Sequence, residues 1–223
     1  MGCQRNIPAM TLEGAIFDAD GTLLDSMHIW RELGTRYLQS LNITPEEGLS
    51  RRLYPMSLEQ SCKYLREHYS LRDSEGEIQS GILGIIEGFY RDEVILKDGV
   101  MGFLEGLRRK NIHMVIATSG NRELLSSALE RNDIAGYFDE IFTCSELATT
   151  KHEPDIFMAC AEYLHMRPEN VGVFEDALFA VEAAKRAGFV VIGVADDSNI
   201  HEREMIRATA DYFIENFTGG ITQ

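Results

Sequence analysis

Gly14-Ala15-Ile16-Phe17-Asp18-Ala19-Asp20-Gly21-Thr22-Leu23-Leu24-Asp25 is the stretch from which the rest of the chain is read. Its first four residues form a short apolar run that ends on a carboxylate, the pattern of a strand buried on both faces. Asp20-Gly21-Thr22 is turn chemistry. Asp18 and Asp20 stand two apart in extended chain, so their side chains face one way with roughly 7 Å between Cα atoms. A pair of aspartates before glycine also makes an ordinary turn, so the meaning of the pair depends on what the other strands bring.

Downstream, Met27, Trp30, Leu33, Tyr37, Leu38 and Leu41 recur at helical spacing, with Asp25 or Ser26 as candidate N-caps. Ser57 to Gln60 fits a capping box that opens a second helix. A third is expected over about Glu77 to Glu93, on Ile78, Ile82, Ile85, Ile86, Phe89 and Tyr90. Gly81, Gly84 and Gly88 weaken it by roughly 1 kcal/mol each.

Then the texture changes. Helices are predicted near Gly102–Lys110, Arg122–Arg131, Asp155–His165 and Leu178–Ala187, the last stopped by Gly188. Strands are predicted at His113–Ala117, Glu140–Cys144, Val171–Phe174 and Val190–Val194, with another at Ala210–Ile214. Such alternation means an α/β fold, a parallel sheet covered on both faces. The expected organisation is an α/β core of residues 1–25 and 98–223, interrupted by an all-helical insert at 26–97 with hinges near Asp25 and Asp98.

The 223 residues, 44% hydrophobic and 26% charged, suffice for one domain plus an insert. Lys and Arg total 21 against 36 Asp and Glu, a formal charge of -15. That balance argues against nucleic-acid and anionic-membrane partners, and an anionic small substrate would need a local cation. No apolar run approaches the roughly 18 residues needed to span a bilayer. Met1 to Leu12 has no hydrophobic signal core, so a cytoplasmic location is expected. Cys3, Cys62, Cys144 and Cys160 are widely spaced and read as free thiols rather than a disulfide or zinc set. The sequence assigns no oligomeric state.

In an open parallel sheet, ligands gather at the carboxyl ends of the strands. The first strand ends in Asp18 and Asp20, the second in Thr118-Ser119 and the fourth in Glu175-Asp176, while the loop after the third carries Lys151. Each has an ordinary alternative alone. Thr118 or Ser119 could cap the next helix, Glu175-Asp176 could do the same, and Lys151 could be a solvated surface lysine. Together at one sheet edge they point to a site. Several carboxylates there repel, by about 4 kcal/mol for two charges about 4 Å apart at an effective dielectric of about 20. The cluster therefore calls for a cation or a raised pKa. Oxygen ligands without His or Cys point to Mg²⁺ rather than zinc or copper. A hydroxyl, a lysine and a divalent cation around one point suit phosphoryl transfer.

These residues resemble the haloacid dehalogenase superfamily, in the branch that includes β-phosphoglucomutase and small sugar-phosphate phosphatases. Asp18-Ala19-Asp20-Gly21-Thr22-Leu23-Leu24-Asp25 fits D-x-D-G-T-L-x-D. Thr118 follows Val115-Ile116-Ala117, Lys151 precedes Pro154-Asp155-Ile156-Phe157, and Phe174-Glu175-Asp176 precedes Ala183-Ala184 and Ala187-Gly188. The resemblance covers nearly the whole chain and implies a Rossmann-like parallel core with an inserted helical cap. It implies that Asp18 attacks phosphorus and that Asp20 protonates the leaving oxygen, then activates water. It implies that Thr118, Ser119 and Lys151 bind the phosphoryl group. Asp18, the Asp20 carbonyl and Asp176 would hold Mg²⁺, with Glu175 ligating or acting through water.

Three departures stand out. His152 replaces the usual proline after the lysine, loosening the loop. Ala177 removes the hydroxyl of E-D-S, and Ala180 puts a methyl where glycine allows close packing.

The cap should set the substrate. Mutases that resemble this chain carry a histidine at the position of Trp30 and an arginine near Leu58 that grips a second phosphate; neither is present. Trp30, Arg51 and Arg52 are the candidate cap contacts, although the default for Trp30 is a core residue on an apolar stripe and for the arginines a solvated loop. A phosphatase acting on a small phosphorylated metabolite is therefore expected. A mutase and a catalytically weak phosphate-binding regulator are the alternatives. Phosphonate hydrolysis would need a cap lysine, and Lys63 is the only lysine between positions 26 and 96, with helix surface as its default. No serine-hydrolase elbow, dinucleotide fingerprint or P-loop is present.

Overall fold

The computed structural model describes residues 12–218. In chain order the elements are β1 (Gly14–Phe17), α1 (Ile29–Ser40), α2 (Leu49–Leu53), α3 (Leu58–His68) and α4 (Glu75–Gly88). There follow α5 (Val100–Arg109), β2 (His113–Thr118), α6 (Arg122–Arg131), β3 (Glu140–Thr143), α7 (Asp155–Tyr163) and β4 (Val171–Glu175). The chain continues through α8 (Leu178–Arg186), β5 (Val190–Val194), α9 (Arg203–Thr209) and β6 (Tyr212–Ile214).

Two compact units result: residues up to Asp25 together with those from Ile95 onward, and Ser26–Val94. In the first, six parallel strands stand in the order β3-β2-β1-β4-β5-β6. Every residue of β1, β4 and β5 is buried, as apolar runs with helices on both faces require. Order reverses at β1, which pairs with β2 on one side and β4 on the other. That reversal opens the crevice in which doubly wound sheets bind ligands.

The segment 95–97, read above as part of the insert, instead returns to the β1 loop. Leu24 bridges Leu96, Asp25 N–H donates to Ile95 O, and Lys97 N–H donates to Leu23 O. These backbone bonds tie it to the α/β unit.

The second unit is all helical. Its core joins Tyr37 and Leu38 of α1, Leu49 of α2, Cys62 and Leu65 of α3, and Ile78 and Ile82 of α4. Gly81 has a packing reason, since a Cβ there would lie 2.5 Å from Tyr37 Cε2. The capping box at Ser57 is formed, with Gln60 answering it. A second box, Ser74 with Glu77, starts α4 two residues before the predicted Glu77. That helix does not run as α to Glu93. Phe89–Glu93 is a π-helical turn, with Val94 N–H bonding Phe89 O, and Phe89 and Tyr90 are both buried in it.

Other expectations are corrected. Neither Asp25 nor Ser26 caps α1, whose N-cap position is His28, and the His28 side chain makes no capping bond to the helix. Trp30 is not core: it is 50% exposed, because the buried face of α1 is set by Ile29, Gly34, Tyr37 and Leu38. Arg51 and Arg52 lie on helix α2 rather than a loop, both exposed. Lys63 is exposed on α3, as its default had it. Cys62, Cys144 and Cys160 are free and buried, and Cys3 lies outside the described residues, as does Met1–Thr11 of the amino-terminal stretch. Among the described residues, no helix is long and apolar enough to cross a membrane.

Candidate active site

Strand pairing places the acidic groups. Asp18 N–H donates to Phe174 O at 3.0 Å, which extends the β1–β4 ladder one residue past β1. Glu175 is the last residue of β4, and Asp176 follows it. Asp18, Glu175 and Asp176 are 6%, 1% and 3% exposed, and one carboxylate oxygen of each lies within 4.8 Å of the others.

Lys151 enters this cluster from the β3–α7 loop and is buried, which rules out the surface-lysine alternative. Its Nζ donates to Asp18 Oδ1 and, at 2.6 Å, to Glu175 Oε1. The other oxygen of Glu175 accepts from Ala177 N–H at 3.1 Å. Glu175 therefore serves first as the partner that holds Lys151. The Asp176 carboxylate accepts from Thr22 Oγ1 at 3.2 Å and from Asn199 Nδ2 at 2.7 Å.

The remaining predicted residues lie at the same edge. Thr118 ends β2 and is buried. It does not cap α6; Asn121 does, accepting from Leu124 N–H. Instead, Thr118 Oγ1 accepts from Gly120 N–H at 2.9 Å. Asp20 Oδ2 lies 3.2 Å from where a Cβ on Gly120 would sit, as does Thr118 Oγ1, so Gly120 is the floor between them. Asp20 is half-buried and its carboxylate stands outside the three-carboxylate group. Ser119 is exposed, with Oγ 3.5 Å from Cys144 Sγ. Glu175 and Asp176 do not cap α8, whose N-cap is Ala177 without a side-chain bond.

Two of the departures are accommodated. The His152 ring stacks on Phe179 with centroids 4.3 Å apart, and His152 O accepts from Arg186 Nη2 at 2.7 Å. These contacts tie the lysine loop to α8 without the proline. The Ala180 methyl is fully buried in the core under β4.

One ammonium faces three carboxylates, and two of them, Asp18 and Asp176, hold their protons more tightly than usual. Burial pushes the Asp18 carboxyl up to about 7, against the pull of Lys151, and Glu175 and Asp20 add to the rise. Burial, then Asp18 and Glu175, lift Asp176 well above the carboxylate range. Burial works against the Lys151 charge, but Asp18 and Glu175 outweigh it and raise its pKa. A buried all-oxygen donor set with surplus negative charge fits a hard divalent cation, which would favour the ionised carboxylates.

Sequence reasoning did not single out Asn199, Lys97 or Asp196. Lys97 Nζ donates to Gly21 O at 2.6 Å, Ala195 O at 2.7 Å and Asp196 Oδ2 at 2.8 Å, joining the β1 turn to the end of β5. A carboxylate at a strand end, Asp196 after Val190–Val194, was the one available signal.

A parallel sheet of this order, carrying an aspartate, a threonine, a buried lysine and an acidic pair at its carboxyl edge, defines a class. The family profile of haloacid dehalogenase-like hydrolases matches residues 15–194, and the chain belongs to that family. It is 30% identical over 189 residues to a phosphorylated carbohydrates phosphatase of Thermotoga maritima, covering 84% of this chain and 88% of that protein. It is 28% identical to a fructose-1-phosphate phosphatase of Escherichia coli, covering 81% and 95%. Among solved structures, a Thermotoga maritima protein provisionally assigned as a β-phosphoglucomutase superposes with a TM-score of 0.80 at 28% identity, covering 91% of this chain and 94% of that one.

Proposed function

We propose that this chain is a Mg²⁺-dependent phosphatase that hydrolyses a small phosphomonoester, a sugar phosphate or similar metabolite, through a phosphoryl group carried on Asp18. The observation that carries this reading is the buried Lys151 shared between Asp18 and Glu175, with Asp176 alongside. Relatives named as phosphatases of phosphorylated carbohydrates and of fructose 1-phosphate support it.

In the first step an Asp18 carboxylate oxygen attacks phosphorus, and the bond from phosphorus to the ester oxygen breaks. Asp20 gives its proton to that departing oxygen. In the second step Asp20 takes a proton from water, whose oxygen attacks phosphorus. Phosphate leaves and the Asp18 carboxylate is regenerated. Lys151 offsets the charge on Asp18 and on the transferring group, while Thr118 and Ser119 hold the phosphoryl oxygens. Asp18, the Asp20 carbonyl and Asp176 would hold the Mg²⁺, with Glu175 beside it orienting Lys151. When bound, the ion neutralises phosphoryl oxygens and keeps the crowded carboxylates ionised.

The α/β unit does this chemistry in our reading, and Ser26–Val94 is the cap that selects the leaving group. Trp30, Arg51 and Arg52 are its candidate contacts. Free Cys62, Cys144 and Cys160 accord with a reducing, cytoplasmic setting.

A second reading, a phosphosugar mutase, is favoured by the likeness to the provisionally assigned β-phosphoglucomutase. Against it, residue 30 is tryptophan rather than histidine and residue 58 is leucine rather than arginine, and Arg52 Nη1 is turned to Tyr64 OH at 2.9 Å and Glu46 at 3.4 Å. One assay separates the two. With Mg²⁺, β-glucose 1-phosphate and the bisphosphate primer, a phosphatase releases phosphate, and efficient formation of glucose 6-phosphate with little free phosphate would reject our choice. A panel of phosphorylated metabolites then identifies the leaving group. No phosphate release from any member would favour the phosphate-binding regulator.

A further inference from the structure

Asp176 is nearly fully buried, and a carboxylate that is to serve a cation must be held at one rotamer. Residue 177, the neighbour that could supply a hydroxyl for that purpose, is alanine and offers none. Thr22 reaches one Asp176 oxygen at a long 3.2 Å.

The other oxygen is met from a separate part of the chain. Asn199 Nδ2 lies 2.7 Å from Asp176 Oδ2 and 3.0 Å from the Asp176 main-chain O. Both are acceptors, so the NH₂ end of the amide must face them, and its two hydrogens match the two oxygens. A donor that grips the side chain and the backbone of the same residue restricts rotation about the bonds between them.

Asn199 is itself placed by a built turn. It closes the 3₁₀ turn Asp197–Asn199, whose start is fixed by Asp196 Oδ1 accepting from Ser198 N–H at 2.8 Å and Ser198 Oγ at 2.6 Å. Lys97 holds the second oxygen of Asp196. The chain of contacts from Lys97 through Asp196 and its turn thus ends on the Asp176 carboxylate.

We infer that Asn199 is a positioning residue that orients Asp176 for a divalent cation and supplies, from the loop after β5, the hydrogen bond that Ala177 cannot make. The inference rests on the proposed role of Asp176 in holding the ion. In this role Asn199 acts through Asp176, to which its Nδ2 is bonded, rather than on the reacting atoms.

The test uses the full chain and Mn²⁺ as probe, with free Mn²⁺ followed by electron paramagnetic resonance and Mg²⁺ measured by competition. Asn199→Ala and the similarly sized Asn199→Leu are compared with wild type, with Asp176→Asn, and with Asp197→Ala, whose side chain is 93% exposed. Near-UV circular dichroism selects the folded variants, and Asn199→Leu guards against loss of packing. The Mn²⁺ and Mg²⁺ dissociation constants should rise about 10- to 100-fold in the Asn199 variants and stay unchanged in Asp197→Ala. The Mg²⁺ needed for half-maximal turnover should rise by the same factor, with a much smaller change in kcat at saturating Mg²⁺. A lowered Tm with dissociation constants within about twofold of wild type, while Asp176→Asn shifts them more than about tenfold, would overturn the inference and leave the metal site standing. If Asp176→Asn also leaves Mn²⁺ binding unchanged, the metal reading fails and this inference with it.

Discussion

Lys151 and Glu175 form a buried ion pair, Nζ to Oε1 at 2.6 Å, and the same ammonium reaches Asp18. Lys151→Met leaves two buried carboxylates without their cation. Removing one partner of a buried pair costs on the order of 3–5 kcal/mol. The variant should unfold at lower urea than wild type and should lose turnover by about 10²–10³-fold, the scale of one electrostatic donor to the transition state. Phosphate release and urea titration check the two parts separately.

Asp18→Asn should abolish phosphate release and the phosphoryl adduct seen by rapid-quench mass spectrometry. It should also change how stability depends on pH. The Asp18 carboxyl rises from 3.8 to about 7 on folding, chiefly through burial. A raised carboxyl binds its proton more tightly in the folded state, so its contribution worsens as pH rises from 3.8 to about 7 and is constant above that. In EDTA, the Tm of wild type should fall relative to Asp18→Asn across this window. Parallel Tm curves for the two proteins would refute the assignment.

Metal removal should act on both activity and stability. EDTA is expected to stop turnover, and Mg²⁺ to restore it. In the proposed reading the folded site binds the ion and the unfolded chain does not, so saturating Mg²⁺ at about 100 times its Kd should add about 2.7 kcal/mol. Thermal unfolding with and without Mg²⁺ measures the gain, and Asp176→Asn should shrink it.

Gly120→Ala tests the floor of the site. The new Cβ would lie 3.2 Å from both Asp20 Oδ2 and Thr118 Oγ1, so one of them must shift. Displacing catalytic groups by a fraction of an ångström can cost on the order of tenfold or more. The expected result is a drop of about tenfold in kcat/KM with an unchanged Tm.

Lys97→Met should destabilise the α/β unit. It removes three hydrogen bonds and the charge opposite Asp196, whose carboxyl the Lys97 and Ser198 bonds hold below its ordinary range against the opposing effect of burial. Hydrogen bonds to charged groups contribute about 1.5–3 kcal/mol each, so a loss of several kcal/mol in urea titration is expected.

Much of the architecture was legible because it is local. Strand runs such as Gly14–Phe17 and Val190–Val194 are apolar on both faces, and α6 spans Arg122–Arg131 as its pattern predicts. Where local signals were weak or mixed, the reading slipped. Trp30 sits on an apolar stripe yet faces solvent, and the π-helical turn at Phe89–Glu93 keeps the hydrophobic pattern of an α-helix while changing its register. The short helices α2 and α9 carry no side-chain cap to announce them.

By itself the sequence determined the alternation of strands and helices and the residues that end each strand, because backbone periodicity and turn chemistry act over a few neighbours. Only the tertiary structure decided what those residues do to one another. Lys151 meets Asp18 across 133 positions, and Asn199 meets Asp176 across 23. Burial, which no local pattern reports, turned an ordinary lysine into the counter-charge of a carboxylate cluster and an ordinary loop asparagine into the clamp on one of its members.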